Sequence, residues 1–197
     1  MVNIESRKKE FLDICKKYIK RPGIDAFLNW LENETDFFVA PASTRFHGSY
    51  KGGLLDHSLN VYYAFKNDIK QVYNIPISDE TIAIITLFHD TCKANLYAVS
   101  TRNVKNESGV WEKVPYYTTD DQFPIGHGEK SVIQIMKYMQ LTDDEIVAIR
   151  WHMSGFDSAA KGGDYGLSSA YNKYPIAVML HLSDMVATYL MEERIGS

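Results

Sequence analysis

The sequence predicts an all-α domain with one inserted β-hairpin. Apolar residues recur at helical spacing along most of the 197 residues, and prolines and glycines separate the helical segments. Residues 96–118 depart from this pattern because they are rich in valine, threonine, tyrosine and tryptophan. The chain shows no repeat and no low-complexity tract. We therefore expect one domain over 1–197, in which 1–44 is an N-terminal helical extension.

The first half of the chain predicts four helices. Residues 4–20 have an amphipathic pattern with lysines on the polar side, and a proline–glycine pair ends it. A second helix begins at Ile24 and ends near Glu34. Apolar stripes predict a third helix over 54–72, and Ser78 is a suitable N-cap for a fourth. Because that fourth helix is apolar on every side, we expect it to be buried all round.

The second half predicts the hairpin and then further helices. The expected elements are the hairpin over 96–118, a helix over 127–139, a helix that begins with the capping box of Thr142 and Glu145 and ends near Trp151, a glycine-rich loop over 155–166, and a strongly apolar helix over 173–192.

Composition excludes several classes of protein. With 21 basic and 25 acidic residues the net charge is −4, so we expect no long nucleic acid as a partner. No apolar run reaches the ~18 residues of a membrane span, and the N-terminus lacks the apolar core of a signal peptide. A cytoplasmic protein is therefore expected. Two cysteines, Cys15 and Cys92, are too few for a disulfide framework or a cysteine-based zinc module.

Ionisable residues occur inside three helices that should be buried. Asp184 lies in the most apolar helix, His89 and Asp90 end another, and His57 shares the apolar face of a third. A lone buried carboxylate costs several kcal/mol unless it is paired, protonated or bound to a metal. One such histidine alone would indicate an ordinary core residue. Together, the two carboxylates and two histidines compensate each other poorly as ion pairs and well around a divalent cation.

The same residues carry a family resemblance. These residues occur in the order H…HD…D, and they lie in the segments HGSYKGGLLDHSLNV, LFHDTCKAN and HLSDMVATY. This pattern resembles the motif of the HD superfamily of metal-dependent phosphohydrolases. The first segment is similar to the HD domain of OB-fold-containing 3′→5′ exoribonucleases. YYTTDDQFPIGHGEKSV and IRWHMSGFD resemble uncharacterised HD-family hydrolases of gut bacteria and phages. The resemblance spans residues 45–190 and implies an HD-domain helical bundle.

The resemblance also implies a site with two divalent transition metal ions, namely Mn, Fe, Ni, Co or Zn, with Mg as a further option. One ion would be held by His57, His89, Asp90 and Asp184, and the other by His127, His152 and a bridging Asp90. An alternative stays open, in which one of the two added histidines contacts the substrate beside a single metal.

Residues around these ligands are candidates for catalysis and substrate binding. Lys93 completes an HDxxK motif and, with Asp90, is the expected catalytic residue, because a lysine one turn past the ligands can point at a phosphate oxygen. The alternative is a solvated lysine at a helix end. His181 is expected to fix Asp184 by a hydrogen bond rather than to bind metal. Cys92 is interpreted as a small buried residue. The remaining substrate-binding candidates, for which ordinary loop or surface roles are the alternative, are Arg45, His47, Tyr50, Lys51 and Arg150.

The expected function is that of a metal-dependent phosphohydrolase, which cleaves a phosphoester of a nucleotide or related small phosphorylated substrate by metal-activated hydroxide. No OB-fold precedes the resembling region, so ribonuclease activity is not carried over, although a nuclease on short single strands stays an alternative. An HD-fold mixed-valence di-iron oxygenase is another alternative, because it shares the fold and the ligands. The full ligand set disfavours a binding module without catalysis. Oligomeric state is open, with a homodimer through the N-terminal helices as one option.

Overall fold

The helices begin and end close to the positions that the sequence predicts. A computed structural model describes residues 3–192. The helices in this range are α1 (Ile4–Tyr18), α2 (Ile24–Asn33), α3 (Gly53–Tyr63), α4 (Lys70–Tyr73), α5 (Asp79–Phe88), α6 (His127–Met136), α7 (Asp143–Trp151), α8 (Ser158–Lys161), α9 (Gly166–Lys173) and α10 (Pro175–Val186). Strands β1 (Tyr97–Lys105) and β2 (Trp111–Thr119) form one antiparallel hairpin. The fold is therefore mostly helical with a two-stranded hairpin, as expected.

Helix α5 lies at the centre of the core. The Ser78 side chain accepts the N–H of Thr81 and caps the first turn, as predicted. The apolar residues 82–88 are all buried, and the helix packs against α1, α3 and α7. Phe88 packs edge-on against Phe27, with ring centroids 4.9 Å apart, so α2 braces the end of α5. This bracing holds the residues that follow α5 in a fixed position.

The N-terminal extension packs onto the same core. Phe11 of α1 is fully buried, and its ring centroid lies 5.9 Å from that of Phe88. Arg7 donates from Nε to Asp56 Oδ1 of α3 at 2.9 Å. Helix α1 is thus joined to both α3 and α5 by apolar contacts and an ion pair.

Three segments differ from the prediction. The third and last helices continue as π-helical turns over 64–69 and 187–191, which hydrophobic spacing does not distinguish from α-helix. The loop predicted over 155–166 contains the short helix α8, because the Asp157 side chain accepts the N–H of Ala159 and caps it. Glycine content predicted an irregular chain here, whereas a local cap orders part of it.

The hairpin extends from the segment after α5 and returns just before α6. Its register pairs Tyr97 with Thr119 and Lys105 with Trp111, and most of its side chains are exposed. The Tyr97 hydroxyl donates to the carbonyl of Ala42 at 3.3 Å, which ties the base of the hairpin to the loop before α3. Among residues 3–192, no helix has both the length and the apolar character to span a membrane.

Candidate metal centre

Four parts of the core bring ionisable side chains to one buried point. His57 lies in α3, His89 and Asp90 directly follow α5, His152 follows α7, and Asp184 lies in α10. The first four are buried, and the Asp184 side chain is 15 % exposed. The His/Asp cluster expected from the sequence is therefore present, and its ligand atoms are close enough to hold a metal ion.

Three of the histidines have their Nδ1 atoms occupied. His89 Nδ1 lies 2.8 Å from the carbonyl of Thr86, and His152 Nδ1 lies 2.7 Å from the carbonyl of Ile149. Because a carbonyl oxygen only accepts, each Nδ1 carries the proton and donates it. His57 Nδ1 similarly donates to a carboxylate, at 2.8 Å. These bonds turn the Nε2 atom of every ring toward the interior of the cluster.

The inward Nε2 atoms converge. His57 Nε2 lies 3.3 Å from His89 Nε2 and 3.3 Å from Asp184 Oδ1. Two imidazoles whose protons sit on Nδ1 present only lone pairs to each other, so a proton or a cation has to lie between them. The contact therefore needs a shared proton or a bound cation, and it is compatible with a metal site.

The two oxygens of Asp90 face different histidines. Oδ2 lies 3.4 Å from His89 Nε2 and 3.6 Å from His57 Nε2. Oδ1 lies 2.8 Å from His127 Nε2 and 3.5 Å from His152 Nε2. One carboxylate thus connects two groups of imidazoles, which is the arrangement of a bridging ligand.

His152 provides the test of whether a metal fits. Its Nε2 atom is buried and has no hydrogen-bond partner among the described residues. Burial lowers the pKa of this imidazole, which favours the neutral form that binds metals. A buried lone pair without a donor is costly, and a divalent cation among nitrogen and oxygen ligands would satisfy it. The donor set therefore fits a divalent transition metal.

Neighbouring groups of opposite charge favour the charged forms of the Asp90 carboxylate and the His57 imidazole. Burial opposes ionisation of Asp90, yet Lys93 and His89 hold the pKa of this carboxyl well below its usual value. Burial also disfavours the charged form of His57, but Glu192 and Asp184 outweigh it and raise its pKa to about 10. A metal ion bound at this point would displace the His57 proton, so protons and metal compete for the site.

Lys93 contacts the cluster directly. Its ammonium lies 2.7 Å from Asp90 Oδ2 and its side chain is 11 % exposed, so it is not a solvated lysine at a helix end. Its catalytic role stays a prediction. Burial alone would lower the pKa of this lysine, but the Asp90 carboxylate raises it. The lysine therefore neutralises and orients the carboxylate that connects the histidines.

One residue of the site was missed in the sequence. Glu192 is the carboxylate that accepts from His57 Nδ1, and its side chain is 4 % exposed. Its separation of eight residues from Asp184, about two helical turns, is the signal that could have indicated it. Cys92 is a buried residue, as expected, but its sulfur lies 3.4 Å from both ring nitrogens of His127 and so covers that ring.

Two predicted site residues have tertiary partners that the sequence did not indicate. Arg150 pairs with Glu129 at 2.6 Å and with Asp157 at 3.0 Å, and its substrate role stays a prediction. The hydrogen bond described for His181 joins its Nδ1 to the carbonyl of His152 at 2.8 Å rather than to Asp184. His181 therefore braces the backbone of a different ligand.

The remaining candidates lie in the loop before α3 and at its junction with the helix. His47 packs against His57 with ring centroids 5.0 Å apart, and burial lowers its pKa to about 4. The Tyr50 hydroxyl donates to Asp56 Oδ2 at 2.9 Å. Arg45 and Lys51 are exposed. His47 alone of these four contacts a residue of the cluster in the described structure, and the substrate roles of all four stay predictions.

Comparisons of the chain with protein-family models, with curated proteins and with solved structures found no match. The case for a metal centre therefore depends on the residues of the cluster and their geometry. Membership of the HD superfamily stays an expectation from the sequence motifs.

Proposed function

We propose that the protein is a metal-dependent phosphohydrolase that acts on a nucleotide or a related small phosphorylated substrate. The observation that carries this proposal is the convergence of the Nε2 atoms of His57, His89 and His152 on the carboxylates of Asp90 and Asp184. Each of these histidines already uses Nδ1 in another hydrogen bond. Such an arrangement prepares lone pairs for a cation before it binds.

The proposed site holds two ions. His57, His89 and Asp184 form one group of close ligand atoms and would hold the first ion. His127 and His152, whose ring centroids lie 5.2 Å apart, would hold the second. The Asp90 carboxylate lies between them, with Oδ2 toward the first set and Oδ1 toward the second. Imidazole and carboxylate ligands suit Mn, Fe, Co, Ni or Zn.

When bound, two ions about 3.5–4 Å apart would lower the pKa of a water molecule and stabilise the charge that grows on phosphoryl oxygens. The chain itself contributes the fixed positions of the ligands. Glu192 holds His57, Lys93 holds Asp90, and backbone carbonyls hold His89 and His152. A site fixed in this way needs little rearrangement during reaction.

The test is a screen of phosphomonoesters, phosphodiesters and nucleotides with Mn²⁺, Fe²⁺, Co²⁺, Zn²⁺ and Mg²⁺. We expect phosphate-ester hydrolysis that Asp90→Asn reduces to background, because the connecting charge is lost. Asp144→Asn, an exposed carboxylate on the helix before His152, is the matched control and should keep full activity. Activity that survives in Asp90→Asn contradicts the proposal. Iron-dependent O₂ consumption without hydrolysis would favour an oxygenase instead.

A further inference from the structure

A cavity of about 500 Å³ lies between the hairpin and the loop before α3. Its lining includes Arg45 from the loop and Arg102, Tyr116 and Tyr117 from the hairpin, and it includes no acidic residue. We propose that this cavity binds a phosphorylated molecule that carries an aromatic ring, such as a nucleoside monophosphate. The two arginines would hold the phosphate and a tyrosine of the hairpin would contact the ring.

The pairing of arginines distinguishes this cavity from the rest of the surface. Of the five arginines within residues 3–192, Arg7, Arg21 and Arg150 each form ion pairs with carboxylates. Arg45 and Arg102 form none with any described residue, although the chain has more acidic than basic residues. Both of these unpaired guanidinium groups line the same cavity. An anionic ligand would supply the missing partner for both.

The guanidinium groups are held so that their N–H edges stay available. Arg102 stacks over the ring of Tyr116, with 5.6 Å from its central carbon to the ring centroid, and Arg45 stacks over Phe46 at 5.2 Å. Stacking uses the flat face of a guanidinium and leaves its donors free for a bidentate contact with phosphate. Hydroxyl groups of Thr44 and Ser49 also line the cavity and can donate to phosphate oxygens.

The walls of the cavity are fixed by hydrogen bonds. The Ser43 hydroxyl donates to the carbonyl of His47 at 2.7 Å and accepts the N–H of Phe46 at 2.8 Å, which closes the loop into a turn. Tyr97 donates to Ala42 and ties the hairpin to this loop. A preformed cavity of this size is within the usual range of small-molecule sites, about 300–1,000 Å³.

A second cavity, of about 610 Å³, differs from the first in the pairing of its charged residues. It lies between α1 and α3, and its charged side chains already have partners within the protein. Lys9 pairs with Asp13, and Lys66 donates to the hydroxyls of Tyr18 and Tyr62. No such internal partner neutralises the arginines beside the hairpin in the described part of the chain.

The experiment measures equilibrium binding by calorimetry in the presence of EDTA, so the result is independent of any metal and of the proposed hydrolysis. The probes are AMP, GMP, CMP and UMP, with adenosine and inorganic phosphate as partial ligands. We expect at least one nucleotide to bind more tightly than either partial ligand. Arg45→Ala and Arg102→Ala should each weaken that binding by ~10-fold or more, because a charge-assisted contact is lost.

The matched control is Lys105→Ala, which removes one positive charge from the same strand without touching the cavity. It should bind the nucleotide as the unmodified protein does. Because both arginines are exposed and lose only a stacking contact, we expect the thermal unfolding midpoint of both variants to change little, which separates lost binding from lost folding. Absence of binding by all four nucleotides overturns the proposal, as does unchanged binding in both arginine variants.

Discussion

At the scale of the residue, His57 differs from the other inward-facing histidines. His89 and His152 are held by backbone carbonyls, whereas His57 is held by the side chain of Glu192. A carboxylate fixes the tautomer and also increases the electron density of the ligating ring. Asn60 donates to the same Glu192 oxygen at 3.3 Å, so that carboxylate is itself oriented. The strength of metal binding by His57 should therefore depend on a residue far away in the chain.

Substitution of Glu192 tests this dependence. Glu192→Ala leaves His57 Nδ1 without its acceptor, and we expect metal affinity to fall by roughly 10–100-fold. Glu192→Gln keeps an acceptor oxygen and loses only the charge, so its loss should be smaller. Competitive titration with a chromogenic chelator measures the affinity, with exposed Glu112→Ala as control. Equal affinity in Glu192→Ala and the unmodified protein would show that Glu192 does not position the ligand.

Lys93 leads to a second prediction, on stability. Lys93→Met removes the ammonium that lies 2.7 Å from the buried Asp90 carboxylate, so the metal-free protein should lose about 3–5 kcal/mol in its free energy of unfolding. Bound metal compensates the same carboxylate, so the loss should be much smaller in the metal-loaded protein. Chemical denaturation with and without metal measures both values.

Lys130→Met is the matched control, since Lys130 is also buried but pairs with Asp121 outside the cluster. Its destabilisation should be the same in both conditions. If Lys93→Met behaved like Lys130→Met, the lysine would have no special relation to the metal centre.

At the scale of the element, α6 and α7 approach each other at a glycine. A side-chain carbon added to Gly128 would lie 2.3 Å from the carbonyl oxygen of Arg150, a contact that the two backbones cannot accept. His127 precedes this glycine and His152 follows α7. The close approach thus sets the separation of the two histidines proposed to hold the second ion.

Gly128→Ala should therefore push α6 away from α7 and weaken the second ion more than the first. We expect metal content to fall from two ions toward one per chain, with a loss of about 1–3 kcal/mol in stability. Gly155→Ala is the control, because its added carbon meets nothing within 4 Å and its backbone is not in the left-handed region. If the Gly128→Ala variant still bound two ions tightly, the glycine would have no role in forming the second metal site.

Local sequence patterns predicted a helix or a cap correctly where all the residues that form it lie in one short segment. The capping box of Thr142 and Glu145 is formed as predicted, since both partners lie within one turn. Ligands that follow or interrupt buried helices were predictable because a polar group in an apolar segment needs a partner. Partners from distant segments were not, as Arg150 with Glu129 and Asp157 shows. The spacing of apolar residues predicts which face of a helix is buried, but it does not predict which distant residue packs against that face.

At the scale of the whole molecule, the candidate metal centre lies where α3, α5, α7 and α10 meet, and the hairpin and the loop before α3 lie beside it. Helix α10 packs against α7 and α3, and α5 packs against both. His47 ends the turn that lines the arginine cavity, and its ring contacts His57 of the cluster. Residues 43–57 thus connect the candidate anion site to His57 of the candidate metal centre, and this charge arrangement would suit a phosphorylated substrate.

The most direct test of the metal centre is the number of metal ions per chain, measured by elemental analysis after reconstitution and removal of loosely bound ions. We predict two divalent transition metal ions per chain in the unmodified protein. Asp90→Ala should lower this number, because the connecting carboxylate contacts both groups of histidines. A protein that retains no metal, or an Asp90→Ala variant that still holds two ions, would contradict the assignment of the cluster as a dinuclear metal centre.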